Sequence, residues 1–132
     1  MNIRIYPRPS SQPVRPSLSS SLAKVQSQVE YHCFASLNTG RIDPLYNELC
    51  LVIAETLLLY PDSYIKINGT PTHIHLIQEV FLLLRSEHLR LVFNNLQNDS
   101  YKVSNKKAYL RSALYNSFFE YESNSIIGHL PS

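Results

Sequence analysis

The stretch YKVSNKKAYLRSALYN, Tyr101 to Asn116, decides how this chain is read, because it joins a helix start, an apolar stripe and the densest positive charge in the sequence. Ser104 and Asn105 are N-cap types, whose side-chain oxygens accept from the unpaired N–H groups of a first helical turn. Leu110, Ala113, Leu114 and Phe118 recur at three- and four-residue steps, with Tyr109 and Tyr115 beside them, so the spacing predicts a helix with one buried face. Lys102, Lys106, Lys107 and Arg111 follow one another with no acid between Asp99 and Glu120. Two readings of these cations stand side by side. They form the solvated face of a helix, or, with Tyr109, they form a surface for phosphate or an acidic partner. Cations at a helix start oppose the macrodipole, a mild cost that fits a binding role.

Working outward from this helix, apolar periodicity predicts four more. Leu22 to Leu37 places Leu22, Val25, Val29, Cys33 and Phe34 near one face, with a possible break around Tyr31 and a stop at Gly40. Asp43-Pro44 is a strong start signal, an N-cap acid followed by proline at the first helical position. Leu45, Leu49, Val52, Ile53, Thr56 and Leu57 then make a broad core stripe that ends at Pro61. Ser63 to Thr70 alternates with period two into an Asn-Gly turn, which predicts one short extended segment. Thr70 or Thr72 is expected to cap a third helix near Pro71, carrying Ile74, Ile77, Val80, Phe81 and Leu84. A fourth follows Ser86, with Leu89, Val92, Phe93 and Leu96 inward. The fold class expected is all-α, a compact bundle of about five helices with one short extended segment, preceded by a disordered tail.

The 132-residue chain is one domain in size and 44% hydrophobic, enough for a modest core. Residues 1 to 21 hold four of the eight prolines and six serines, which predicts a disordered tail or linker remnant, with the helical domain over 22 to 122 and a flexible end over 123 to 132. Arg4, Arg8 and Arg15 stand in that acid-free tail. From Arg41 to Glu122 eight Lys/Arg stand against nine Asp/Glu, so the net charge of +2 belongs to the tail and the folded part is near neutral. Cys33 and Cys50 lie in no CxxC or zinc spacing and are read as two buried, reduced thiols. No apolar run reaches the length of a membrane helix and no signal-peptide core is present, which predicts a cytoplasmic protein.

Enzymatic patterns are missing. His73 and His75 are two apart, His88 stands some distance on, and no HExxH accompanies them, so no metal is expected and these histidines are read as surface or boundary residues. Three glycines exclude the phosphate-loop and dinucleotide patterns, and there is no nucleophile elbow, so no catalytic residue and no cofactor is expected.

The succession IDPLYNELCLVIAETLL, SYIKINGT, HLIQEVFLLLRSEHLRLVFNNL and SNKKAYLRSALYNS resembles the C-terminal helical domain of RepA-type plasmid replication initiator proteins of Gram-positive bacteria. The last motif also resembles the terminal helix of DnaD-like primosome domains. The resemblance covers about two thirds of the chain and implies a DnaD-like domain without the family's N-terminal winged helix. It further implies a non-enzymatic module of plasmid or phage replication whose partner is a host primase or helicase loader. Two alternatives stay open: a DNA-binding accessory using the basic helix, and a small inhibitor acting by competition.

Overall fold

The computed structural model describes residues 17–97 and 105–129, which form five helices and one β-hairpin. It is mainly helical, as expected, with a small antiparallel sheet in addition. The organising element is α2 (Pro44–Leu57), which packs against α1 (Leu18–Gln28), α3 (Ile74–Phe81), α4 (Ser86–Gln97) and α5 (Lys106–His129). Its start follows the sequence signal. Asp43 Oδ1 accepts the Leu45 N–H at 2.9 Å, and Pro44 occupies the first turn. Leu45, Tyr46, Leu49, Cys50, Val52, Ile53, Ala54 and Thr56 are all buried, so the helix is wrapped on most of its sides. Burial pushes the Cys50 thiol up to about 12, which leaves it an inert apolar side chain.

α1 (Leu18–Gln28) begins ahead of the expected Leu22, because Ser17 Oγ accepts the Ser20 N–H at 3.1 Å and caps it. It also ends early. Glu30 takes a left-handed φ of 54°, and a 3-10 turn follows over Tyr31–Phe34. A continuous helix would carry Phe34 about 140° around from Val29. The turn instead brings Phe34 onto Tyr46, ring centroids 4.0 Å apart, and Phe93 stacks on the other face of Tyr46 at 4.5 Å. The same rotation corrects the expectation for Cys33, which is exposed rather than buried.

The segment Thr70–His73 is a strand, not the start of a helix. β1 (Tyr64–Ile67) pairs antiparallel with β2 (Thr70–His73) in the register Ile67↔Thr70, Lys66↔Pro71, Ile65↔Thr72 and Tyr64↔His73. Asn68 and Gly69 form the two-residue turn with φ of 56° and 79°, the doubly left-handed pattern of a tight hairpin. Ile67 and Thr70, which flank that turn, are a hydrogen-bonded pair. Pro71 therefore falls at a non-hydrogen-bonded position, where its missing N–H costs no ladder bond. The Ile74 N–H, donating to the Ser63 carbonyl at 2.9 Å, continues the ladder into the first residue of α3 (Ile74–Phe81). His73, not a threonine, caps α3, its Nδ1 accepting the His75 N–H at 3.3 Å.

Neither α2 nor α3 ends on glycine, and their last carbonyls are held by glutamines from neighbouring helices. Gln78 Nε2 on α3 donates to the carbonyls of Thr56 (3.0 Å), Leu57 (3.4 Å) and Leu59 (2.8 Å). Gln28 Nε2 on α1 donates to those of Phe81 (3.0 Å) and Leu84 (2.7 Å). The apolar run after α3 is divided between core and surface, with Leu82 and Leu83 exposed and Leu84 buried. α4 (Ser86–Gln97) and α5 (Lys106–His129) complete the domain. α4 buries Leu89, Val92 and Leu96, while α5 buries Leu110 and Leu114. α5 continues past Glu122 through residues expected to fray, with no proline before Pro131 to stop it.

Candidate functional site

The basic residues of α5 meet α2 along a seam. Glu48 and Glu55 are seven apart on α2, two turns, and so share a face. Lys106 Nζ lies 3.0 Å from Glu48 Oε1 and Lys107 Nζ lies 3.0 Å from Glu55 Oε1. Leu51, Val52 and Leu110 form the apolar floor between these pairs. Arg111 is half-buried, and its Nε donates to Thr56 Oγ1 at 3.3 Å, while Thr56 Oγ1 itself donates to the Val52 carbonyl at 2.7 Å. Burial lowers the Arg111 pKa, with the Glu55 carboxylate opposing the shift, so the guanidinium is a fixture of the seam. Each described cation of the cluster thus has a partner within the domain. Lys102 and the arginines Arg4, Arg8 and Arg15 lie outside the described residues.

Tyr109 stands on another side of α5, half-buried, in the wall of a broad groove. This groove, about 730 Å³, runs between the hairpin tip, α4 and α5. Val92, Leu96 and Ala113 give it an apolar floor, and Lys66, Asn95 and Glu120 stand along it. Asn68 is tied to α5 at its edge, the backbone N–H donating to Ser112 Oγ at 2.9 Å and the side chain paired with that of Asn116. A mixed apolar and amide surface of this kind suits a peptide or a protein side chain better than a polyanion.

His88, which the sequence places among surface or boundary histidines, is instead buried beneath α5. It is only 3% exposed, and its Nδ1 accepts the Arg85 N–H at 2.9 Å, doing from the third helical position what Glu does in a capping box. The neutral ring therefore carries its proton on Nε2, which has no hydrogen-bond partner and lies 3.8 Å from Glu122 Oε2. Phe118 and Tyr121 pack on the ring. Burial lowers its pKa from the ordinary 6.5, partly offset by Glu87 and Glu122. The unfolded chain, with His88 near its ordinary value, binds a proton that the folded state resists. The stability this neutral histidine contributes is therefore complete above about pH 6.5 and declines as pH falls below it. The urea midpoint is expected to drop between about pH 7.5 and pH 5 in the wild type and to drop less in His88→Gln, whose amide keeps a cap acceptor without titrating. Equal pH slopes in the two proteins would remove His88 from this role.

The other histidines in this region serve local structure: His73 caps α3 and packs edge-on to Tyr64, and His75 Nε2 lies 2.8 Å from Glu79 Oε2. Among the described residues no three His, Cys, Asp or Glu side chains are grouped to hold a metal ion, and no helix is long and apolar enough to cross a membrane.

Fold and site together define a small, mainly helical domain whose basic α5 is locked to an acidic face of α2 and whose open surface is a mixed groove on the far side. Residues 18–127 match DUF6017, a family of unknown function, and the chain belongs to that family. No curated protein and no solved structure matches it.

Proposed function

We propose that this domain is a non-enzymatic interaction module of plasmid or phage replication, acting in the cytoplasm on a host protein such as a primase or helicase loader. The replication setting comes from the resemblance of its helix succession to the C-terminal domain of RepA-type initiators. The observation that carries the protein-binding reading is the groove beside Tyr109, which offers apolar floor and amide edges together. The same geometry weakens the DNA-binding alternative. Lys106 and Lys107, already opposed by Glu48 and Glu55, have less charge to offer phosphates, whose binding draws on unneutralised cations.

Reversing Lys106 and Lys107 alone would set four carboxylates along the seam and loosen it. The informative variant is the swap that adds Glu48→Lys and Glu55→Lys, keeping the pairs while inverting them. With the full chain as bait in a nuclease-treated Gram-positive lysate, a primase or helicase loader is expected to be captured by the wild type and lost with Asn95→Arg at the groove. Capture lost with the swap but kept with Asn95→Arg would move the partner surface to the seam and to Lys106 and Lys107. Recovery that depends on nucleic acid would replace the protein partner with DNA.

A further inference from the structure

The hairpin tip carries a reactivity that the proposed function does not use. In an unrestrained Asn-Gly pair, the glycine nitrogen gives up its proton and attacks the asparagine Cγ. The bond from Cγ to Nδ2 breaks, ammonia leaves and a succinimide remains. Water then opens the ring at one carbonyl or the other, giving aspartate or isoaspartate. Glycine favours the attack because no Cβ shields its nitrogen.

At Asn68-Gly69 the fold restrains both reacting partners. Asn68 and Gly69 are held in the doubly left-handed turn by the strands on either side. The Asn68 N–H donates to Ser112 Oγ at 2.9 Å, which pins the backbone to α5. The side chain is closed in a reciprocal amide pair, Asn68 Nδ2 donating to Asn116 Oδ1 at 2.9 Å and Asn116 Nδ2 donating to Asn68 Oδ1 at 3.0 Å. Rotation of Cγ toward the Gly69 nitrogen therefore works against both side-chain bonds.

We propose that Asn68-Gly69 is a latent deamidation site, gated by its docking on α5, whose conversion releases the hairpin tip and places a negative charge in the groove wall. The product carboxylate has no N–H to give to Asn116 Oδ1, so at most one of the two side-chain bonds survives. Isoaspartate also adds a methylene to the backbone of a two-residue turn whose register leaves no room for it. This inference is independent of the replication reading, since its chemistry needs only water.

The test follows conversion at Asn68 by peptide mass spectrometry during incubation of the full chain at mildly alkaline pH and physiological temperature. Conversion in the folded wild type is expected to be at least roughly tenfold slower than in the same chain held in urea, the factor that two net hydrogen bonds imply. Asn116→Ala and Ser112→Ala change exposed or half-buried positions and are expected to fold, as circular dichroism would show, yet to convert several-fold faster than wild type. A wild-type rate equal to that in urea, or wild-type rates in both variants, would overturn the gating. Purified converted protein is expected to exchange amide hydrogens faster over Tyr64–His73; unchanged exchange there would overturn the release of the tip.

Discussion

Phe81→Ala is expected to destabilise the domain by about 3–5 kcal/mol, the range for removing a fully buried phenylalanine ring. Phe81 is completely buried at the end of α3, and its carbonyl is one of the two that Gln28 holds. Alanine at this site leaves a cavity between helices that meet α2, and shifts the carbonyls that Gln28 must reach. For a domain with a typical stability of about 5–15 kcal/mol, such a loss brings the folded state near its limit. Urea unfolding of the purified variant measures it directly. Phe81→Leu, which restores most of the apolar volume, is expected to recover more than half of the loss. A Phe81→Ala cost below about 1 kcal/mol would mean that the site collapses freely or that the ring is not enclosed.

The second large effect lies on α5. Leu110 is 2% exposed and forms the floor of the seam between α2 and α5, beneath the Lys106–Glu48 and Lys107–Glu55 pairs. Leu110→Ala is expected to cost about 2–5 kcal/mol, whereas Lys107→Ala, which breaks an exposed pair, is expected to cost under about 1 kcal/mol. The contrast assigns the holding of α5 to its apolar stripe and leaves the charges to set its register on α2. Non-additivity of the two substitutions in a double-mutant cycle would show that the ion pair depends on the leucine below it. A Leu110→Ala cost under roughly 0.5 kcal/mol, the surface range, would place the buried face of α5 elsewhere.

Much of the fold could be read in the sequence because its signals are local. Asp43-Pro44 announces α2 within two residues, and the stripes of α2, α3, α4 and α5 recur at helical spacing whatever they pack against. The errors fall where a distant contact decides. Pro71 fits the first turn of a helix as well as a non-hydrogen-bonded strand position, and only pairing with Lys66 selects the strand. The 3-10 turn at Tyr31 exists because Phe34 stacks on Tyr46, a contact invisible in local periodicity. At the site, the run of cations was plain, but the acids opposite Lys106 and Lys107 lie more than forty residues away on another helix, and no spacing rule links them. His88 reads in the sequence as a surface or boundary histidine, and its burial has a different origin. A histidine at the third position of a helix has no capping signature in sequence, although its Nδ1 serves as one.

The glutamine clamps have a consequence for how the chain acquires its structure. Gln78 on α3 reaches the Thr56 and Leu57 carbonyls at the end of α2, and Gln28 on α1 reaches that of Phe81 at the end of α3, adding donors from elsewhere in the chain to the local Leu59 and Leu84 N–H groups. A fragment ending after α2 would lack the Gln78 donor and leave the Leu57 carbonyl to water. These ties couple the ends of α2 and α3 to tertiary packing and favour α1 through α3 unfolding as one cooperative block.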